Sequence, residues 1–323
     1  MRGGAYKLQL EGRDELQIEH DSVMLEACNS SCQVHLQVDT TEFAALYNVA
    51  QAMTGPVLAA AVNSPILFGK RLWAETRIAL FRQSLDTRST SVHLRDFSAR
   101  VRFGDRWVKE SVAELLQEDI VQFRVLLAQE TVEDPFVQLA AGDIPRLQAL
   151  QLHNSTVYRW NRPCYGISEG KPHLRIECRT LPSGPTVLDE VANAAFWIGL
   201  VLGSQSEYGD ITERLSFDDA KYNFLAASRQ GLDAGFHWVD GETVTAPKLI
   251  LETLIPLARV GLEAYVDRSE IDKYLGVIHD RVESRGTGSD WMMGSLSEMK
   301  DRGTRSERMT ALTAAIASRQ MER

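Results

Sequence analysis

The chain has 323 residues, of which 44% are hydrophobic and 24% charged, so it has the composition of an ordinary globular protein and can bury a substantial core. Its formal net charge of −9 argues against a general nucleic-acid binder, because no stripe of lysines and arginines dominates, so any phosphate-binding site must be made locally by clustered arginines. Four cysteines do not suggest a disulfide framework. No apolar run is long enough to span a membrane, and the first residues lack the apolar core of a signal peptide. We therefore expect a cytoplasmic location.

Residues 5–38 have the alternation of short strands. Residues 6–10 alternate, residues 11–14 have the composition of a turn, and residues 23–25 and 33–38 are the next predicted strands. An apolar helix follows residue 42, and we expect Gly55 and Pro56 to interrupt it. The helix is apolar all round, which is typical of a buried element.

Three arginines lie among apolar residues in the segment 69–82, namely Arg71, Arg77 and Arg82. An arginine in such a context usually has a partner. Two interpretations remain open: ion pairs with acidic residues such as Glu75, or binding of phosphate or carboxylate.

Short alternating runs at 92–94 and 101–103 precede a predicted helix over 111–129 with one apolar stripe. Residues 153–163 are dense in polar and aromatic groups. Arg159 and Arg162 cannot share a face of a regular strand. We therefore expect one of them to face a site while the other points away or lies on the following loop.

The chain is organised around residues 173–179. Read as a strand, this stretch puts Leu174 and Ile176 on an apolar face and Arg175, Glu177 and Arg179 on the other. One interpretation is a half-exposed strand with a solvated charged face. The other is a ligand site, because residues 33–37 show the same alternation with a polar face, and prolines and glycines fix the strand at both ends. A polar sheet face that carries histidine, glutamate and arginines suits a metal ion and phosphates.

Beyond residue 187 the chain is predicted to be almost wholly helical, over 188–202, 218–232, 246–264, 269–282 and 306–317. Ser269 and Ser306 are the expected N-caps. Residues 286–289 lack the lysine and the flanking strand of a P-loop and predict a flexible connection.

Strands before residue 180 and helices after it, without βαβ alternation, predict an α+β fold. We expect a curved, mostly antiparallel sheet with helices on one side and a helical C-terminal third. The domain assignment is 1–203 for the first part and 204–323 for a helical C-terminal region of the same domain.

Several short motifs occur together and in order. They are Gln33-Val34-His35, Asn63-Ser64-Pro65 with Gly69-Lys70-Arg71, residues 159–163, and Leu174-Arg175-Ile176-Glu177-Cys178-Arg179. Together they resemble the glutamate–cysteine ligase type 2 (carboxylate–amine ligase) family of the glutamine-synthetase superfamily. The resemblance covers roughly residues 15–320, and the joint order of the motifs is more specific than any one of them.

The resemblance implies an ATP-dependent ligase that forms a γ-glutamyl amide through an acyl phosphate, with glutamate and an amine such as cysteine as substrates, as in glutathione biosynthesis. It implies that Glu177 and His35 are ligands of Mg²⁺ or Mn²⁺ and that Arg175 is a catalytic contact to the nucleotide phosphates. By the same resemblance Arg179 and Arg162 bind the acidic substrate. Arg71 and Arg77 are the other predicted nucleotide-binding residues.

The sequence departs from this family in one respect. Such ligases begin with a strand that carries several glutamates and supplies most of the metal site, and we find no such segment before Tyr6. We therefore expect an incomplete glutamine-synthetase-like sheet, a truncated ligase and doubtful activity of this chain alone. The alternative is a non-catalytic relative that binds nucleotide or an acidic ligand. Small-molecule substrates are the expected partners, without nucleic acid or membrane, and self-association remains open.

Overall fold

The computed structural model describes residues 6–21, 24–86, 99–129 and 133–321. The strands are β1 Tyr6–Glu11, β2 Glu15–His20, β3 Val34–Val38, β4 Ile66–Leu67, β5 Lys70–Arg71, β6 Val101–Arg102, β7 Tyr158–Arg159, β8 Asn161–Ser168, β9 Lys171–Cys178, β10 Gly235–His237 and β11 Thr243–Thr245. The helices are α1 Met24–Ala27, α2 Phe43–Ala61, α3 Thr76–Ser84, α4 Val112–Gln122, α5 Pro135–Ala140, α6 Gln148–Asn154, α7 Val187–Tyr208, α8 Ile211–Arg214, α9 Phe217–Gln230, α10 Ala246–Leu249, α11 Ile255–Leu262, α12 Arg268–Glu283, α13 Gly288–Glu298 and α14 Arg305–Met321. A π-helical turn, Ile250–Leu254, joins α10 to α11.

The strands form small sheets, and the sheet in the middle of the fold has the order β3–β9–β8, with both pairings antiparallel. The other described strands pair two by two: β1–β2, β4–β5 and β10–β11 are antiparallel, and β6–β7 is parallel. The prediction of an α+β fold with a mostly antiparallel sheet and a helical C-terminal region is confirmed. The strand predicted at 23–25 is wrong because α1 begins there, and the run at 92–94 lies outside the described residues.

Helix α2 is the central helix of the core and packs between α7 and α9. The predicted interruption at Gly55 and Pro56 is wrong, since α2 runs without a break from Phe43 to Ala61. Burial on all sides offsets the roughly 3 kcal/mol that a proline costs inside a helix. Gly55 has a packing role, because a Cβ there would lie 2.8 Å from the backbone carbon of Asn223 in α9.

Helices α7 and α11 cross with their backbones in close approach. A Cβ added to Gly261 of α11 would lie 2.0 Å from the carbonyl oxygen of Gly199 and 2.6 Å from the backbone nitrogen of Gly203. Glycine is therefore required at this crossing for steric reasons.

Among the described helices, α7 alone is long and apolar enough to span a membrane. In this fold α7 packs against α2, α11 and α12, and Phe196, Trp197 and Leu200 are fully buried in the main core. The domain boundary at residue 203 falls inside α7, and the same core includes residues on both sides of it, from Val34 to Val282.

Several predicted helix ends differ from the observed ones. The helix expected over 111–129 starts correctly after Ser111, which forms a capping box, but it ends at Gln122. The N-caps predicted at Ser269 and Ser306 are wrong, since both residues lie inside α12 and α14. The connection predicted at 286–289 instead begins α13, with the Thr287 hydroxyl as the N-cap acceptor.

Candidate functional site

The predicted site strand is β9, and the register of its two neighbours decides which side chains meet. His35 of β3 lies opposite Glu177, and Glu177 lies opposite Arg162 of β8. The three side chains therefore form one row across three strands. In the next row Arg175 lies opposite Cys164. The expectation that His35 and Glu177 occupy adjacent strands on one face is confirmed by this register.

The opposite face of the sheet is fixed to α2. Ile176 is fully buried against the core. The Asn161 side chain donates to Gln51 at 2.6 Å and to Thr54 at 2.8 Å, and the Tyr47 hydroxyl donates to the Asn161 carbonyl at 2.9 Å. These buried hydrogen bonds anchor the strands from behind, so the polar face has a rigid support.

Glu177 is the centre of the polar face and is fully buried. Its Oε2 accepts a hydrogen bond from Arg162 Nε at 2.5 Å. Its Oε1 lies 3.7 Å from Arg179 Nε and 3.9 Å from His35 Nε2, and it accepts no hydrogen bond from any described residue. A buried carboxylate oxygen without a donor is costly, so this atom is a candidate ligand atom.

Two arginines on this face carry buried N–H groups that bond no described residue. They are Nε of Arg175, and Nε and Nη1 of Arg179. The Arg179 guanidinium also lies over the rings of Tyr158 and Phe81, at 5.4 and 5.9 Å from their centroids. Leaving donors buried and unpaired costs about 1–3 kcal/mol each. The geometry therefore suits an anion with several oxygens, which would accept from these groups.

The charge balance of the face supports the same conclusion. Burial lowers the pKa of His35, the charges of the three nearby arginines lower it further, and Glu177 only partly offsets them. His35 is therefore neutral at pH 7, which leaves three guanidinium groups, from Arg162, Arg175 and Arg179, against the one carboxylate of Glu177. The face carries net positive charge in a chain whose net charge is −9.

Cys164 belongs to this cluster, and the sequence interpretation missed it. Its Sγ lies 3.5 Å from Glu177 Oε2, and burial, together with the charge of Glu177, raises the pKa of the thiol to about 11. The signal was present in the sequence, because strand alternation that starts from Arg162 puts Cys164 on the same face. With His35 and Glu177 it completes a set of three candidate ligand atoms that lie within 4.8 Å of one another.

This donor set fits one divalent ion that binds together with an anion. Glu177 Oε1 is free to coordinate, and the neutral imidazole of His35 is a suitable second ligand. The three guanidinium groups repel a cation that arrives alone, whereas phosphate oxygens would neutralise them and supply further ligands.

The structure places Arg71 and Arg77 away from this row. Arg77 is buried and pairs with Glu75 at 3.2 Å, and it donates to the carbonyls of Arg179 and Thr180 just after β9. Arg71 pairs with Asp14 at 2.8 Å on the surface. These are the ion pairs that the sequence left open as one alternative, and the nucleotide role of both arginines stays a prediction.

Arg159 and Arg162 diverge as expected from strand alternation. Arg159 is buried and its guanidinium pairs with Asp119 at 2.6 Å, whereas Arg162 faces Glu177.

The model of glutamate-cysteine ligase family 2 matches residues 1–313. The chain belongs to this family.

Among solved structures, the Pup ligase PafA of the prokaryotic ubiquitin-like modification pathway, in complex with ADP, is similar to this chain with a TM-score of 0.42 and 9% sequence identity. The similarity covers 84% of this chain and 50% of that one, so this chain spans about half the length of PafA. No curated protein sequence matches.

Proposed function

We propose that the chain carries the nucleotide and acidic-substrate site of an ATP-dependent carboxylate–amine ligase. The main support is the polar face of β3, β9 and β8, where buried N–H groups of Arg175 and Arg179 surround the free Oε1 of Glu177. Such a face binds a metal–phosphate complex and a carboxylate together. Family membership supports the same class of reaction.

In this proposal Arg175 donates to the transferring phosphate of ATP and stabilises its charge. Arg179 binds the carboxylate of the acidic substrate. Arg162 holds Glu177 through Nε and offers its Nη groups, which bond no described residue, to the same substrate. Glutamate is the proposed acid and cysteine the first amine to test.

His35 and Glu177 would hold Mg²⁺ or Mn²⁺, which supplies charge neutralisation on the phosphate oxygens when bound. The two reaction steps themselves need the substrates to be bound and oriented. The γ-carboxylate of glutamate displaces ADP from the terminal phosphate of ATP, and the amine then displaces phosphate from the acyl carbon, so that the products are a γ-glutamyl amide, ADP and phosphate. Arg175 and Arg179 hold the two anions close together and offset their repulsion.

A second candidate function is binding of nucleotide or an acidic ligand without turnover. It is favoured by the single carboxylate among the described residues of this face, since one carboxylate and one imidazole provide for one weakly held ion. Further carboxylates would have to come from an acidic segment outside the described residues of this face.

Calorimetry with Mg²⁺ and ATP, followed by an ADP-release assay with glutamate and cysteine, separates the two functions. We expect weak Mg²⁺–ATP binding and little ADP release from this chain alone, and glutamate-dependent release when an acidic upstream segment is added. Binding without release under both conditions favours the non-catalytic function. Efficient glutamate-dependent release from residues 1–323 alone would contradict the need for further carboxylates.

The two arginines are separated by mutation in an active, extended chain. Arg175→Ala should raise the nucleotide concentration required, and Arg179→Ala should raise the glutamate concentration required, because each removes a charge-assisted contact worth about 1.5–3 kcal/mol. Lysine should restore either function only in part, since it cannot form a bidentate contact. Unchanged kinetics in both alanine variants would leave the strand with a structural role.

The wider setting of this function is also a proposal. We propose small-molecule substrates, no nucleic-acid partner and no membrane association, in a reducing cytoplasm. The four cysteines are all unpaired, which suits that location.

A further inference from the structure

A second cluster of positive charge lies in a cavity of about 480 Å³ that shares no residue with the polar sheet face. The turn after β1, the β4–β5 hairpin and helices α13 and α14 enclose it. Its basic lining residues are Arg13, Lys70, Arg71, Lys300, Arg305 and Arg308. Asp14 is the one acidic residue among those that line it. Six cations at one cavity are unusual in a chain of net charge −9, because acidic residues outnumber basic ones in the sequence as a whole.

Asp14 does not neutralise this cavity, because both of its oxygens are used by one residue. Arg71 donates to it from Nε at 3.1 Å, from Nη2 at 2.8 Å and from the backbone nitrogen at 2.8 Å. These bonds, with a smaller contribution from the charge of Arg305, hold the pKa of the Asp14 carboxyl well below its usual range. The other five cations have no ion-pair partner among the residues that line the cavity.

Two of these cations are positioned by backbone carbonyls rather than by acids. Arg305 Nη2 donates to the Gly69 carbonyl, and Arg308 Nη1 donates to the Lys300 carbonyl. Gly69 has a φ of +71° in the β4–β5 turn, and a Cβ there would lie 3.6 Å from Arg305 Nε. None of the five cations other than Arg71 pairs with an acidic side chain in the described part of the chain. Guanidinium groups that are fixed by carbonyls keep their charge and their remaining donors for a ligand.

We propose that this cavity binds a polyphosphate group. Its volume falls in the range of small-ligand sites, and several cations around one cavity match a chain of phosphates better than a single anion. Three apolar side chains, Met293, Leu296 and Met309, also line the cavity. They would receive the base of a nucleotide, whereas inorganic polyphosphate would leave them uncovered.

Ligand binding here would join distant parts of the sequence. The cavity connects residues 13–71 with residues 293–309, and in the last helix, α14, Leu312 is the one buried residue. A helix with so little buried surface opens readily. A polyphosphate that bridges Lys70 to Lys300 and Arg308 therefore stabilises α14 against the rest of the fold.

The test uses tripolyphosphate and metal-free ATP as probes, with calorimetry and hydrogen exchange of α14 as measurements. We expect Lys300→Glu to weaken tripolyphosphate binding at least tenfold and to abolish the ligand-induced protection of α14, and Lys70→Glu to act in the same direction. Arg302→Glu is the matched control, because Arg302 is exposed nearby but does not line the cavity. Circular dichroism without ligand verifies that each variant is folded.

The sheet-face variant Arg175→Ala distinguishes this site from the proposed ligase site. Protection of α14 by tripolyphosphate that survives Arg175→Ala and is lost in Lys300→Glu supports the cavity. Tighter binding of ATP than of tripolyphosphate identifies a nucleotide as the ligand, and equal binding identifies inorganic polyphosphate. Equal binding by Lys300→Glu, Lys70→Glu and Arg302→Glu would overturn the proposal, as would complete loss of binding in Arg175→Ala.

Discussion

Replacement of Glu177 by glutamine tests how one carboxylate controls the polar face. Glutamine keeps the shape and one acceptor oxygen, so the bond from the Arg162 guanidinium at 2.5 Å keeps its charged donor and loses its charged acceptor. A hydrogen bond that involves a charged group contributes about 1.5–3 kcal/mol, and loss of the acceptor charge removes part of that contribution. Arg162 is 22% exposed and can recover some hydration. We therefore expect the free energy of unfolding to fall by about 1–2 kcal/mol.

Glu177→Ala should cost more, about 3–5 kcal/mol, because it removes the acceptor and leaves buried guanidinium groups uncompensated. Urea unfolding of the two variants and the wild-type protein measures this difference. Equal stability of all three proteins would refute the assignment of Glu177 as the counter-charge of the arginines.

The same glutamine variant should change ligand binding in opposite directions with and without metal. Loss of one negative charge makes the face more positive, so tripolyphosphate without metal should bind to it about fivefold tighter, which corresponds to about 1 kcal/mol. The gain in nucleotide affinity that Mg²⁺ provides should disappear, because Oε1 is no longer a carboxylate ligand. Calorimetry in a Lys300→Glu background, which weakens the second polyphosphate site, measures both effects. An unchanged Mg²⁺ effect in Glu177→Gln would refute the metal role of this residue.

Three further predictions concern packing and titration. Gly261→Ala should lower the free energy of unfolding in urea by about 1–3 kcal/mol, because the added methyl group overpacks the α7–α11 crossing. The control is Gly276→Ala, whose Cβ position has no neighbour within 4 Å, and it should be neutral or stabilising by up to about 1 kcal/mol. The exposed Cys28 should react with iodoacetamide at pH 8 long before Cys164. Burial raises the pKa of the Cys164 thiol in the folded protein from 9.0 to about 11, so its contribution to the free energy of unfolding is complete below pH 9 and is lost as the pH rises toward 11. Cys164→Ser should remove this loss from the pH dependence of unfolding. Arg281→Ala should cost about 3–5 kcal/mol in the same unfolding assay, because it leaves a buried aspartate at 2.9 Å without its counter-charge; near-wild-type stability would contradict a buried ion pair.

Much of the site could be predicted from strand alternation and from the family resemblance. The period of two put Arg175, Glu177 and Arg179 on one face, and the same period in residues 33–37 brought His35 to the facing strand. Both features are local, so they hold in any sheet whose apolar face is buried. The strand register was not predictable in detail, because it depends on the tertiary pairing of β8 with β9. Alternation alone puts Cys164 on the face of Arg162, but its approach to Glu177 depends on that pairing.

The errors have a common physical cause in tertiary packing. Pro56 does not interrupt α2 because the helix is enclosed by other helices. The stripe on α4 suggested a longer helix, but Ile120 and Leu127 are exposed and gain no burial that would extend it past Gln122. The second basic cavity could not be read from the sequence, since Lys70 and Lys300 are brought together only by the fold.

The central claim is that the polar face of β3, β9 and β8 binds a divalent ion together with nucleotide phosphates. Electron paramagnetic resonance of Mn²⁺ titrated into the protein, with and without ADP, tests it most directly, with Arg175→Ala and Lys300→Glu as parallel samples. We predict little bound Mn²⁺ without ADP, clear binding with ADP, and loss of that binding in Arg175→Ala but not in Lys300→Glu. Equal Mn²⁺ binding with and without ADP, or full retention of the ADP effect in Arg175→Ala, would contradict the claim.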